Sequence, residues 1–193
     1  MRARMALKYA DIAVEIREIE LRNKPAHMLK LSPKATVPVL VLNDGALIDI
    51  TVIEQSLDIM LWALQQQDKD GWLNADNVLT QQLIAENDDS FKQSLDKYKY
   101  AIRFPEQSAQ VYRAQGEVFL QKLEALLSQS RFLLSNQISL ADIAIFPFIR
   151  QFSGVDAVWF ENAPYPQLKV WLKVLIESEL FTSIMQKQPA YLK

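Results

Sequence analysis

Three short stretches of this chain carry residue types and spacings that can do chemistry. The first is Ala35-Thr36-Val37-Pro38-Val39-Leu40, in which a proline opens an apolar run that reads as a strand. Proline has no N–H to give a sheet and belongs at a strand's first residue or its edge. It is also the one residue for which a cis peptide bond is cheap, about 0.5–1 kcal/mol above trans. A cis Val37-Pro38 bond is therefore expected. It turns the Val37 backbone outward and leaves its N–H and C=O able to pair with an extended peptide, as an edge strand does. The same residues are equally consistent with an edge-strand proline that meets no ligand. The second stretch is Gln55-Ser56, just ahead of Leu57, Met60, Leu61 and Leu64, a helical apolar spacing that Ser56 is placed to cap. A helix N-terminus offers free N–H groups and the positive end of the dipole, which suits a carboxylate.

The third stretch, Ser139-Leu140-Ala141-Asp142, has the spacing of a capping box, with the shorter Asp in place of Glu. Ile138 and Ile143 flank it as a hydrophobic staple. The run that follows, residues 143–149, is apolar on all sides and reads as a buried central helix, with Pro147 inside it to kink it or free a carbonyl. Asp142 is read as a structural cap rather than a catalyst, because a cap site needs its charge.

Composition removes whole classes of chemistry. Cysteine is absent, so the 193 residues contain no disulfide, thiolate metal site or cysteine nucleophile. The one histidine, His27, reads as a surface residue, and no metal site or catalytic residue is assigned. The net charge of −2 and the lack of a basic stripe argue against nucleic acid. No apolar run approaches the ~20 residues needed to span a bilayer, so no membrane partner is expected. With neither cysteine nor a secretory signal, a cytoplasmic location is expected.

The elements that must position these stretches fall into two halves. Ala3, Ala6, Leu7 and Ala10 mark one face of a helix over residues 1–11. Residues 14–21 alternate and read as a strand. Pro25 opens a short helix at its first position, running to Leu31, and Ser32-Pro33 ends it. Residues 39–42 and 46–53 read as two strands joined by a turn at Asn43-Asp44-Gly45, and the helix after Ser56 follows. Residues 65–77 are a polar linker with a breaker glycine at Gly71. Beyond it there is no strand alternation. Leu79, Leu83, Phe91, Leu95 and Tyr98 lie on one long helix. A second helix after Pro105 carries Val111, Val118, Leu123, Leu126 and Leu127. Helices over 139–152 and 166–177 and a short terminal helix complete an all-α region. The expected domains are thus 1–64, mixed α/β, and 78–193, all-α.

The order and spacing of residues 1–7, 36–40, 55–60 and 139–144 resemble the glutathione transferase superfamily, particularly its bacterial, omega-like, cysteine-type branch. The resemblance implies a thioredoxin-like α/β domain followed by an α-helical domain. It also implies that glutathione is held as co-substrate, without a further cofactor, and that the chain pairs as a homodimer. By resemblance, the Val37 backbone pairs with the cysteinyl part and Pro38 is the cis-proline that presents it. Gln55 and Ser56 hold the γ-glutamyl end, with Gln55 in place of the usual Glu, and Lys24 meets the glycyl carboxylate. Tyr98, Tyr100 and Phe104 are candidates for the pocket of a second substrate, a small electrophile or mixed disulfide, and are equally suited to a core.

The resemblance also implies a first strand and a nucleophile-bearing loop ahead of the segment matching Arg2 and Arg4. Neither is found in the 193 residues. Either the start lies upstream of Met1 or the shorter chain is what the cell makes; the first is favoured, because the strand is interior to the sheet and its loss leaves unpaired edges. The expected function is a glutathione-dependent transferase or thiol transferase in its full-length form, with the 193 residues alone inactive. The alternative is a non-catalytic module that binds glutathione or a protein.

Overall fold

The structure, a computed structural model, describes residues 1–43 and 50–191. The chain divides into two compact units, one formed by Met1–Lys69 with Glu179–Lys193 and the other by Asp70–Ser178. The grouping differs from the sequence expectation at the far end of the chain, where the terminal helix clusters with residues 1–69 and not with the helical region.

In the first unit, α1 (Arg2–Tyr9) buries Ala3, Met5, Ala6, Leu7 and Tyr9. It ends in a Schellman motif. Asp11 takes a left-handed φ of 55°, its N–H donates to Lys8 C=O, and the Ile12 N–H reaches back to Leu7 C=O. Residues 14–21, expected as a strand, form none. Only single bridges occur there, Glu18 with Ala190 and Glu20 with Asn23. A strand is defined by its neighbour, and the neighbour here is the chain's own end. The Tyr191 N–H donates to Glu18 C=O at 2.7 Å, and the Arg17 guanidinium lies 4.9 Å from the Tyr191 ring.

Helix α2 (Ala26–Leu31) starts one residue later than expected. Pro25 keeps an extended ψ of 139° and sits at the N-cap position, where its carbonyl accepts the Leu29 N–H. Strands β1 (Leu40–Asn43) and β2 (Ile50–Ile53) pair antiparallel, from Leu40 opposite Ile53 to Asn43 opposite Ile50. The turn expected after Asn43 at Asp44-Gly45, and the first half of the expected 46–53 strand, lie outside the described residues. Helix α3 (Ser56–Gln66) packs Ile59, Met60, Ala63 and Leu64 toward α1.

The second unit opens with Gly71 at a left-handed φ of 72°, where a Cβ would meet the Asn74 side chain at 2.2 Å. A 3-10 turn over Trp72–Asn74 buries Trp72, so the polar segment expected as a linker holds a core residue. The long helix expected next is α4 (Asn77–Glu86), a π turn over Asn87–Phe91, and α5 (Lys92–Lys99). The extra residue of a π turn shifts the helical phase, and Leu83, Phe91, Leu95 and Tyr98 all face inward.

Helix α6 (Ala109–Leu127) corrects an expectation. Val111 and Val118 are 42% and 64% exposed, and the buried face is Tyr112, Gly116, Phe119, Leu120, Leu123 and Leu127. Gly116 accounts for this rotation. A Cβ there would stand 2.5 Å from the Phe152 ring, so the close approach needs Gly116 turned inward, which turns the valines out.

Helix α7 (Leu140–Ser153) runs on through Pro147 and buries nearly every side chain. The short helix α8 (Ala157–Asn162), not anticipated from the sequence, is capped by Asp156. Helix α9 (Pro166–Glu177) has Pro166 in its first turn, and α10 (Glu179–Ile184) returns to α1 in the first unit. The centre of the second unit is aromatic: Phe91 lies 4.9 Å from Phe119 and 5.5 Å from Phe152, and Tyr98 lies 5.1 Å from Phe152. Among the described residues no helix is long and apolar enough to cross a membrane, and no group of three potential metal ligands occurs.

Candidate functional site

The loop ahead of β1 is set by a turn and a left-handed residue. Ser32, fully buried at the end of α2, accepts the Ala35 N–H at its carbonyl, 2.9 Å away. Ala35 then takes a φ of 54°, a conformation that costs an L-residue roughly 1–2 kcal/mol. The Val37-Pro38 peptide bond is cis. Val37 is 48% exposed, and among the described residues its backbone N–H and C=O pair with no other group. Both are open to an extended ligand.

The register of β1 and β2 decides what lies near this loop. Leu40 stands opposite Ile53. The loop carrying Val37 and Pro38 and the start of α3 at Gln55-Ser56 therefore both adjoin the same end of the β1–β2 pair. A hydrogen bond holds the two ends together: the Ser32 hydroxyl donates to Glu54 Oε1 at 2.5 Å, and Lys34 Nζ lies 3.5 Å from Glu54 Oε2. The Ser32 hydroxyl, with Lys34 adding to it, holds the Glu54 carboxyl below its ordinary value. Glu54, Ser32 and Lys34 were not singled out in the sequence. The only signal is that Glu54 directly precedes Gln55-Ser56, and nothing in the sequence pairs it with a serine 22 positions earlier.

Ser56 was expected to cap α3. Instead Gln55 occupies the N-cap position, Ser56 is the first helical residue, and no side chain caps the helix. The first-turn N–H groups have no intrahelical partner, so this end of α3 is open to an anion. Lys24 is engaged locally, donating to Leu21 C=O at 2.9 Å. A cavity of about 380 Å³ in the same unit is lined by Leu7, Ile12, Val14, Ile16 and Ile184 with Arg4 and Lys8 at its rim, and contains none of these residues.

The aromatic residues expected at a second-substrate pocket separate. Tyr98 is buried and packs on Phe152; it is core. Tyr100 is 38% exposed, between the Lys99 ammonium at 5.1 Å and the Arg103 guanidinium at 4.8 Å. Phe104 alone lines a cleft, together with Tyr112.

Asp142 is fully buried. Oδ2 accepts the Ser139 N–H at 2.9 Å and the Ser139 hydroxyl at 2.6 Å. Oδ1 accepts the Leu133 N–H at 2.9 Å and the Trp171 indole N–H at 2.8 Å. Burial pushes its carboxyl above the ordinary value, against four hydrogen bonds that favour the charged form. Every acceptor direction is used, so the group holds α7, the loop before it and α9 together and has nothing left for a ligand.

Two family profiles match the chain. Residues 1–71 match the profile described as glutathione S-transferase, N-terminal domain, and residues 106–173 the one described as glutathione S-transferase, C-terminal domain. No curated protein matches. Among solved structures, a glutathione S-transferase from Rhodospirillum rubrum F11 is 20% identical with a TM-score of 0.76, over 97% of this chain and 87% of that one. Glutathione transferase Omega 2C from Trametes versicolor is 19% identical with a TM-score of 0.77, over 96% and 88%. A glutathione transferase family member from Pseudomonas fluorescens, solved with two glutathione bound, is 15% identical with a TM-score of 0.76, over 94% and 86%. The two-stranded sheet with its helices, followed by a helical domain, is thus a thioredoxin-like glutathione transferase fold.

Proposed function

The chain belongs to the glutathione transferase superfamily, and from that premise we propose that it binds glutathione at the end of the β1–β2 pair. The Val37 backbone, presented by Pro38, pairs with the cysteinyl part of the ligand, and Gln55 with the uncapped first turn of α3 at Ser56 takes the γ-glutamyl end. The observation that carries this reading is the pairing of two unfilled features, an open backbone at Val37 and an open helix start at Ser56, both just beyond the end of the β1–β2 pair where Leu40 faces Ile53. Lys24 reaches the glycyl carboxylate by leaving the Leu21 carbonyl, an exchange of one acceptor for a charged one. Glu54 shapes the site by tying the loop to the helix.

In a glutathione-dependent thiol transferase or transferase of the omega-like branch, these residues supply binding and orientation. Attack on a mixed disulfide or a small electrophile needs a thiolate or a group that polarises the glutathione thiol, and none of the residues gathered here is one. Residues 1–193 contain no cysteine, and the second reading is a module that binds glutathione or a protein without turnover. Calorimetric titration of the 193-residue chain with glutathione, beside a thiol-transferase assay, tests both. Saturable binding without turnover fits the binding module, turnover fits the enzyme, and absence of binding rejects the site. A homodimer and a cytoplasmic location complete the reading; sedimentation at micromolar concentration checks the first and cell fractionation the second.

A further inference from the structure

The second unit holds a cleft of about 490 Å³ lined by Lys97, Phe104, Glu106, Gln107, Tyr112 and Gln115, a size within the range of small-ligand sites. Its chemistry is specific. Phe104 and Tyr112 form an edge-to-face pair with ring centres 6.5 Å apart. The Lys97 ammonium lies 5.7 Å from the centre of the Tyr112 ring, at the C-terminal turn of α5. The Tyr112 hydroxyl lies 3.2 Å from both the Phe104 carbonyl and Glu106 Oε2 and shares its one proton between them, which places the Glu106 carboxylate at the cleft.

Lys97 and Glu106 thus line one cleft with opposite charges. Among the described residues they form no salt bridge with each other or with any third group. The nearby acid Asp96 is already engaged by Lys92. Gln115 donates to Gln107 at 3.1 Å; among the described residues the Gln107 amide nitrogen and the Gln115 carbonyl oxygen have no partner. Among the described residues the cleft therefore offers a cation and an anion that form no salt bridge, unfilled amide groups and an aromatic wall.

We propose that this cleft binds a small zwitterion carrying an aromatic ring, that is, an aromatic α-amino acid. The ligand carboxylate meets Lys97, its ammonium meets Glu106, and its ring packs on Phe104 and Tyr112. A ligand with only one of the two charges leaves one protein charge unmatched, so the cleft discriminates on both. The inference uses residues of the second unit alone and does not rest on the glutathione reading.

The test titrates the full chain, without glutathione, by calorimetry and ligand-observed NMR. The probes are L-phenylalanine, phenethylamine, which lacks the carboxylate, and 3-phenylpropionate, which lacks the ammonium. L-phenylalanine is expected to bind about tenfold or more tighter than either analogue. Lys97→Gln should bring L-phenylalanine down to the level of phenethylamine while leaving phenethylamine binding unchanged. Glu106→Gln should bring it down to the level of 3-phenylpropionate in the same way. Both positions are surface substitutions whose folding is checked by circular dichroism. The proposal is overturned if the three probes bind alike, if both variants hold L-phenylalanine as the parent does, or if no saturable binding occurs up to ~10 mM.

Discussion

Helices α7 and α3 begin in opposite ways. At α7, Ser139 and Asp142 close the helix start with their own side chains, and Asp142 gathers two further donors from Leu133 and Trp171. At α3, Gln55 and Ser56 leave the first turn uncapped, beside a loop whose Val37 backbone is unpaired. Other starts in the second unit, at Asp76, Ser108 and Asp156, are side-chain capped. A closed start serves the fold. An open one, next to an open backbone, leaves donors available, and it is here that glutathione is proposed to bind.

The largest expected effect breaks the closed start. Asp142→Ala strips the acceptor from four donors, three of them buried N–H or indole groups that then lack a partner. Stability should fall by about 3–5 kcal/mol in chemical denaturation, well beyond the cost of a lost cap. A loss below about 1 kcal/mol would show that water or local rearrangement satisfies those donors.

The matching change at the open start should act on binding instead. Ser56 caps nothing, so Ser56→Ala should leave the unfolding free energy within about 0.5 kcal/mol of the parent. Glutathione affinity should drop roughly tenfold, about 1.4 kcal/mol. If affinity holds while stability falls, the two starts do the same work and the comparison fails.

A smaller effect sharpens the loop's side of the contrast. Ala35 sits at a φ of 54°, where glycine carries no Cβ penalty. Ala35→Gly should stabilise the chain by about 0.5–1 kcal/mol, the relief of strain exceeding glycine's entropic cost. Thermal melts decide it, and a destabilised variant would mean that the loop leaves this conformation in solution.

The smallest effect concerns the tether. The Glu54 carboxyl is held below its ordinary 4.5 by Ser32 first and Lys34 second. A depressed acid binds fewer protons in the folded than in the unfolded state just below 4.5. Its stabilisation is thus complete above 4.5 and fades as pH falls through the folded value. Glu54→Gln should flatten that acid slope in denaturation curves, with a small loss of stability at neutral pH that vanishes as the two proteins converge at low pH. An identical slope in the variant would remove Glu54 from the account.

Much of this was legible in the sequence because it is local. The capping box needs only the spacing of Ser139 and Asp142, and the burial of this helix start follows from the apolar run after it, whereas the further donors from Leu133 and Trp171 come from other segments. Periodicity placed α1, α3, α4 with α5, α7 and α9, since a helix face repeats within a few residues. What failed was what depends on a distant neighbour. Residues 14–21 alternate as a strand does, yet a strand needs an adjacent chain, and among the described residues this stretch makes single bridges alone, Glu18 with Ala190 and Glu20 with Asn23. Val111 and Val118 looked like a core stripe, yet the contact between Gly116 and Phe152 turned them to solvent.

The candidate site divides along the same line. Pro38, Gln55 and Ser56 were visible as residue types with a known local consequence: a proline that can hold a cis bond, and a polar pair at a helix start. That Glu54 reaches Ser32, that the Val37-Pro38 loop and the start of α3 share one end of the β1–β2 pair, and that Tyr98 belongs to the core while Phe104 faces a cleft were decided by strand register and helix packing. Residue type and spacing fix which hydrogen bonds and which faces are available to a segment. Only the folded chain determines which of them meet, because that choice is made by the burial of the whole and not by any stretch of it.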